Sequence, residues 1–244
     1  MMKKRLILVS GFLCLLLPRL APAGDWHRTY DGLLQKYVTA DGVKYKDWHA
    51  TPEDRLALNQ VIEGIARADL GGLEKSGKLA FYLNAYNAWI LHRILGEYPS
   101  AGPGGGGFFG RNRFFKAKKL RVAGETTSFH LLENALIRSL FKEPRIHFAL
   151  NCASTSCPPL HARAFVGEHL DETLDRLANT FINRNAQAVR INGNAVEVSK
   201  IFDWYSDDFE PDVRTYLNRY RTEKLPDTVP ITFQKYRWTL NEAR

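Results

Sequence analysis

Apolar positions recur at helical spacing through much of this chain. Trp26, Tyr30, Leu33, Leu34, Tyr37 and Val38 mark a helix over Asp25–Thr39. Asp41-Gly42 then predicts a turn, and Val43-Lys44-Tyr45 a short extended piece. Thr51-Pro52-Glu53-Asp54 reads as a helix start: a threonine cap, a proline that lacks the unneeded N–H, and two acids at the positive end. Leu56, Val61, Ile62 and Ile65 carry that helix to about Ala68, and Gly71-Gly72 breaks the pattern. Ser76–Leu95 is apolar nearly all round, which predicts a helix buried on more than one side. Asn84 and Asn87 sit three apart inside it. Each amide either ties down neighbouring backbone or lines a polar pocket, because an unpaired buried amide costs about 1–3 kcal/mol. Tyr86 and His92, on the same helix, are read first as packing residues.

The second half mixes periods. Gly96–Lys119, with five glycines between Gly102 and Gly107, reads as an irregular lid or insertion. Leu120–Thr126 predicts a small hairpin around Ala123-Gly124. Ser128 caps a helix ending near Phe141, with His130, Glu133 and Asn134 on one face and Arg138 toward its end. The apolar run Ile146–Leu150 predicts a short strand leading into a polar loop. Glu168–Arg184 is an amphipathic helix, and Ala188–Ser199 a hairpin turning at Asn192-Gly193. Ile201–Phe209 joins aromatic and acidic residues, Pro211 opens a helix to about Tyr220, and Ile231–Leu240 alternates like a closing strand. Together these elements predict a helix-rich α+β single domain around a small, largely antiparallel sheet.

The first residues change where that domain begins. Lys3, Lys4 and Arg5 precede an apolar run, Leu6–Leu17, and Ala21-Pro22-Ala23 has the small residues of a cleavage site. Twelve residues rise only ~18 Å as a helix, short of a bilayer core of ~30 Å. A signal peptide over 1–23 and a domain over 24–244 are expected, with a periplasmic or secreted product and no stable membrane insertion after cleavage. The formal charge of +8 drops to about +4 once Lys3, Lys4, Arg5 and Arg19 are removed. No Lys/Arg stripe suggests a nucleic-acid partner. An unknown small molecule or envelope component is the expected partner, and no cofactor is expected.

Candidate chemistry concentrates in Pro144–His161, P-R-I-H-F-A-L-N-C-A-S-T-S-C-P-P-L-H. Three readings stand side by side. In the first, Cys152 is a nucleophile in a cysteine-dependent hydrolase or acyl-transfer enzyme. His147 or His130 is then the base, Glu133 or Asp208 its orienting carboxylate, and Asn151 an oxyanion donor. In the second, His147, Cys152, Cys157 and His161 hold zinc, although the usual two-residue gap between cysteines is missing. In the third, Cys152 and Cys157 close a disulfide, the default for two exported cysteines. The surrounding side chains, Asn84, Asn87, Glu133, Arg138, His147, Ser154 and Asp208, then form a polar ligand pocket.

Five segments carry a resemblance: F-Y-L-N-A-Y-N-A-W (81–89), L-E-N-A-L-I-R (132–138), P-R-I-H-F-A-L-N-C-A-S-T-S-C-P-P-L (144–160), F-D-W-Y-S-D-D-F (202–209) and Y-R-W-T-L-N (236–241). Together they resemble the bacterial exported branch of the domain-of-unknown-function 547 family. The resemblance implies one domain over the mature chain and no settled activity. In related domains the second segment reads I-E-H-x-I-L-R. Glu133 and Arg138 match it, but Asn134 stands where the histidine is expected. Asn134 can hydrogen-bond yet cannot accept a proton at neutral pH. If that histidine serves as a base elsewhere, this chain lacks it. His161 lies outside the family pattern.

Overall fold

A computed structural model describes residues 26–117, 119–192 and 195–243. The expected signal segment, Lys118 and the tip of the 188–199 hairpin lie outside the described residues. Helices α1 (Trp26–Tyr37), α2 (Tyr45–His49), α3 (Pro52–Arg67) and α4 (Lys75–Gly96) form the first part of the molecule. Most of α4 is buried, from Leu79 to Leu95 and on several sides, as its unbroken apolar sequence requires. Its first turn passes so close to Gly167 that a Cβ there would strike the Gly77 backbone. Helix α5 (Gly107–Lys116), α8 (Leu170–Arg184), α9 (Ile201–Trp204) and α10 (Val213–Tyr220) follow later in the chain.

The strands are short and lie apart from one another. β1 (Val38–Thr39) pairs with β2 (Gly42–Val43), and β3 (Leu120–Val122) with β4 (Glu125–Thr127), both antiparallel. β5 (Val189–Asn192) pairs antiparallel with β6 (Ala195–Val198), which pairs in parallel with β7 (Ile231–Phe233). The architecture is helix-rich α+β, with three small sheets in place of one central sheet.

Three expectations are corrected. Ile146–Leu150 is no strand: Pro144–Phe148 winds as a 3₁₀ turn. Pro144 starts it with a fixed φ, and the Glu143 side chain accepts from the Arg145 N–H, 3.0 Å away. Four apolar residues around one histidine cannot tell a strand from a buried helical turn. The glycine-rich stretch is not wholly irregular, because α5 fills its second half. Only Ile231–Phe233 of the closing segment is a strand. Gln234–Trp238 departs from the sheet, and the chain then makes an isolated bridge between Ser154 and Leu240.

Two buried clusters divide the interior. One joins α1, α3 and α4 with Phe129, Ile137 and Ile146; the other gathers Phe148, Phe181, Phe202, Phe209 and Tyr216 around α8, β6 and α10. Leu177 packs against both. Ile146 enters the first cluster and Phe148 the second, so the 3₁₀ turn straddles the seam and sets His147 between them.

Candidate functional site

The helix capped by Ser128 is not uniform. Ser128 Oγ accepts from the Leu131 N–H as expected, and α6 (Phe129–Leu131) and α7 (Ser139–Phe141) are α-helical. Between them Leu132–Arg138 is a π-helical turn, with an extra residue fitted in. Such turns cost regular hydrogen bonding and are frequent at functional sites. This one carries Glu133, Asn134 and Arg138.

Each of those three side chains is held. Glu133 accepts from Tyr205 OH at 2.6 Å and from Tyr86 OH at 3.3 Å. Burial, reinforced by the Glu133 charge, pushes both phenols well above their ordinary range, so they remain donors. Arg138 binds Asp208 through both arms, Nε to Oδ2 at 2.7 Å and NH2 to Oδ1 at 2.9 Å, a bidentate pair. Its NH1 donates to Asn134 Oδ1 at 2.7 Å, and its guanidinium lies 4.7 Å from the Tyr205 ring centre. Asn134 thus orients Arg138.

Asp208 also meets His147, whose Nε2 is 2.6 Å from Oδ2. Burial pushes the Asp208 carboxyl up. The hydrogen bonds from His147 and Arg138 outweigh it and hold the group well below the usual carboxylate range. With Asp208 ionised, Nε2 is the ring nitrogen that donates to it. The His147 ring stacks on Tyr205 with 4.2 Å between centroids. His147 and Tyr205, on different elements, are therefore fixed by the same carboxylate–guanidinium pair.

Cys152 and Cys157 are joined as a disulfide, with Cα atoms 6.2 Å apart, inside the range such bonds span. The Cys152 N–H points at Cys157 Sγ, 2.9 Å away. Tyr236 OH lies 3.1 Å from Cys152 Sγ and 3.2 Å from Cys157 Sγ. It accepts from Ser154 Oγ at 3.1 Å, leaving its own proton for a sulfur. Burial pushes the Tyr236 phenol up as well, so it stays protonated. Ala153 takes a left-handed φ of 61°, uncommon without glycine, and Asn151 Oδ1 accepts its N–H at 2.9 Å.

Part of this set lines one cleft of about 560 Å³, whereas Arg138 and Asp208 face a neighbouring hollow and Asn151 and Ser154 another, so these expected pocket residues brace the cleft from behind. His130, Glu133, His147, Cys152 and Cys157 all reach it. Its walls include Tyr86, Phe115, Trp204, Tyr205, Tyr236 and Trp238. Trp204, Tyr236 and Trp238 pack together with centroids 4.6–5.8 Å apart. An aromatic wall with a few fixed polar groups is the usual make-up of a small-molecule site.

Other expected residues fall elsewhere. Asn84 pairs with Phe165 in both directions, its Nδ2 to the carbonyl and its Oδ1 from the N–H, each at 2.8 Å. Asn87 does the same between Ala149 O and the Asn151 N–H, at 2.9 Å each. Both amides are spent on backbone, and neither lines the cleft. Asn151 donates to Pro158 O at 2.7 Å and accepts from Ala153, so its amide braces the loop. Asp208 pairs with His147 and not with His130, and Glu133 is held by tyrosines and not by a histidine. The zinc set does not assemble. Its thiols are consumed in the disulfide, and among the described residues no three His, Cys, Asp or Glu side chains group around a possible metal position. His161 packs 5.5 Å from the Phe165 ring. Burial first, then Arg176 and Arg163, pull it down to about 4.

The sequence reading missed Trp204, Tyr205, Tyr236 and Trp238 as site residues. A signal was present for each pair. Ile201–Phe209 mixes aromatic with acidic residues, and Tyr236 and Trp238 share one side of the alternating closing segment.

No curated protein and no solved structure matches the chain. A family model matches from just before α4 to near the end of α8. That span contains Glu133, Arg138, His147 and both cysteines, while Tyr205, Asp208, Tyr236 and Trp238 lie beyond it. Over residues 70–182 the chain is similar to the family described as protein of unknown function, DUF547.

Proposed function

We propose that this chain is an exported member of the bacterial branch of that family, residing in the periplasm or outside the cell. Its aromatic cleft binds a small molecule of the cell envelope, and the Cys152–Cys157 disulfide staples the cleft wall. One observation carries the choice of binding over catalysis. The sulfur of Cys152 is bonded to Cys157 and the Asn151 amide is engaged at both ends, so the resting site offers neither thiolate nor free oxyanion donor. Glu133 sets the ligand's chemistry. Two tyrosine hydroxyls leave part of its acceptor capacity open, which suits a hydroxyl or ammonium donor on a ring-shaped or apolar body laid along the aromatic wall.

The test uses the cleft's own tryptophans. Trp204 and Trp238 report occupancy by fluorescence during titration with amino sugars, simple amines and polyols. A saturable change that weakens in Glu133→Gln is expected. No change with any of these, or one indifferent to Glu133→Gln, counts against the reading.

A second reading rests on His147. An Asp208-oriented imidazole opens on the same cleft as Cys152, the base-and-orienter arrangement of a cysteine enzyme. It requires a reduced Cys152. Alkylation without reductant, followed by intact-mass measurement on protein taken from its own compartment, separates the two. Complete disulfide favours binding, and a free Cys152 that alkylates faster than Cys157 favours catalysis.

A further inference from the structure

The glycine-rich segment beside the cleft has a second feature that the ligand site does not use. From Tyr98 to Gly124 the chain contains Arg111, Arg113, Lys116, Lys118, Lys119 and Arg121, and not one Asp or Glu. Among the described residues none of Arg111, Arg113, Lys116, Lys119 and Arg121 forms an ion pair. At the start of α5, Phe108 and Phe109 are 66% and 84% exposed, the most exposed large apolar side chains described.

The local structure forces this exposure. Gly106 and Gly107 take φ of 75° and 62°, where other residues are strained. A Cβ on Gly104 would strike Trp238, and one on Gly110 would strike the Gly105 carbonyl. The loop is therefore pressed flat against the C-terminal segment and against the helix it starts. Phe114 is buried and stacks on Phe129, 5.5 Å away, which anchors the far end of α5. The near end projects with its two phenylalanines. Phe109, Arg113 and Lys116 follow at i, i+4 and i+7, so an apolar tip and a cationic stripe share one face.

We infer that this face docks on an anionic membrane surface, with Phe108 and Phe109 entering the headgroup–acyl boundary and the cations meeting lipid phosphates. Two protruding phenyl rings suit a fluid apolar layer, which conforms to them. An acidic protein would need a matching pocket for both. These cations, Arg113, Lys116, Lys119 and Arg121 together with Arg111 over the Trp238 ring, form no ion pair among the described residues and supply charge complementarity to anionic headgroups within a Debye length of the surface. No helix among the described residues is long and apolar enough to cross a membrane, so the attachment is peripheral. Asn112, Phe115 and Lys116 of the same helix line the cleft, and docking brings its mouth near the lipid surface whatever chemistry the cleft performs.

Vesicle co-sedimentation of the mature chain tests this. The probes are vesicles of phosphatidylcholine alone and of equal parts phosphatidylcholine and phosphatidylglycerol, in low and high salt. The expected result is binding to the mixed vesicles only, lost in high salt. Binding should fall roughly tenfold or more in Phe108→Ala/Phe109→Ala and weaken in Arg113→Glu. These positions are exposed, and an unchanged thermal transition confirms folding. Equal binding to both vesicle types, or none, overturns the inference. So does binding that the double phenylalanine variant retains. Phenylalanine-independent capture by polyglutamate would reassign the face to an acidic polypeptide.

Discussion

His147 and Asp208, 61 residues apart in the chain, meet at 2.6 Å between Nε2 and Oδ2. The same carboxylate receives both arms of Arg138. One acid therefore joins the π-helical turn, the 3₁₀ turn and the acidic–aromatic segment. Asp208→Asn is expected to cost about 1–3 kcal/mol, since a charged hydrogen-bond acceptor is removed from two partners. Its folded pKa is depressed, so this stability is present above the ordinary carboxylate pKa and is lost as pH falls through the folded value. Urea midpoints for the two proteins should differ by a constant amount from neutral pH to about pH 4 and converge only in stronger acid. A gap that closes near pH 6 would point to a different group.

His161 gives the opposite kind of test, a histidine whose charged form the fold disfavours. Its folded pKa of about 4 lies below the ordinary histidine value of 6.5. The unfolded chain takes up a proton in that interval and the folded chain does not. Stability falls as the solution is acidified from 6.5 toward 4. His161→Gln should flatten that slope, read from thermal transitions across the interval. An unaltered slope would mean that His161 is readily protonated in place.

Glu133 and Tyr205 are coupled through a 2.6 Å hydrogen bond. Tyr205→Phe and Glu133→Gln should each destabilise, and their double-mutant cycle should show a coupling of about 1 kcal/mol. Additive effects would indicate that the bond does not persist in solution.

The Cys152–Cys157 bond closes a short loop, for which chain entropy gives about 2 kcal/mol. Reductant should lower the wild-type unfolding midpoint by that order and leave Cys152→Ser/Cys157→Ser unaffected. Equal sensitivity of both proteins would show that reduction acts elsewhere.

Asn87 bridges Ala149 O and the Asn151 N–H in the interior. Asn87→Ala strands two buried backbone groups, at about 1–3 kcal/mol each. Asn87→Asp keeps the acceptor, and its carboxyl, when protonated, can donate its O–H to Ala149 O in place of the amide, so it should destabilise less. Denaturant unfolding at mildly acidic pH distinguishes them, and a harmless Asn87→Ala would be at odds with this bridge.

The helices were legible wherever the apolar stripe was long, as in α3, α4 and α8, although Thr51 does not cap α3: its hydroxyl donates to Asp47 O, 2.9 Å away. The β1–β2 and β3–β4 hairpins were legible from Asp41-Gly42 and Ala123-Gly124, while the tip of the 188–199 hairpin lies outside the described residues. The turn at His147 was not, because so short a run carries no period long enough to choose a conformation and the choice fell to Pro144 and Glu143. Cys152, His147 and Glu133 could be singled out as reactive types on adjacent segments. Their partners could not be assigned. Tyr205, Asp208 and Tyr236 come from late in the chain, and only the folded path brings their hydroxyls and carboxylate to those groups. Asn84 and Asn87 illustrate the converse: a buried amide shows in sequence, whereas the backbone it serves does not.

The π-helical turn at Leu132–Arg138 makes segment length a coded property. In ordinary winding, residues five apart lie about 140° apart around the axis, so Glu133 and Arg138 would point to different sides. The wider π turn brings the two back to one side, where they meet Tyr205 and Asp208. The spacing between these two side chains is thus as much a requirement as their identities, and the extra residue is what lets a five-residue separation serve a single face.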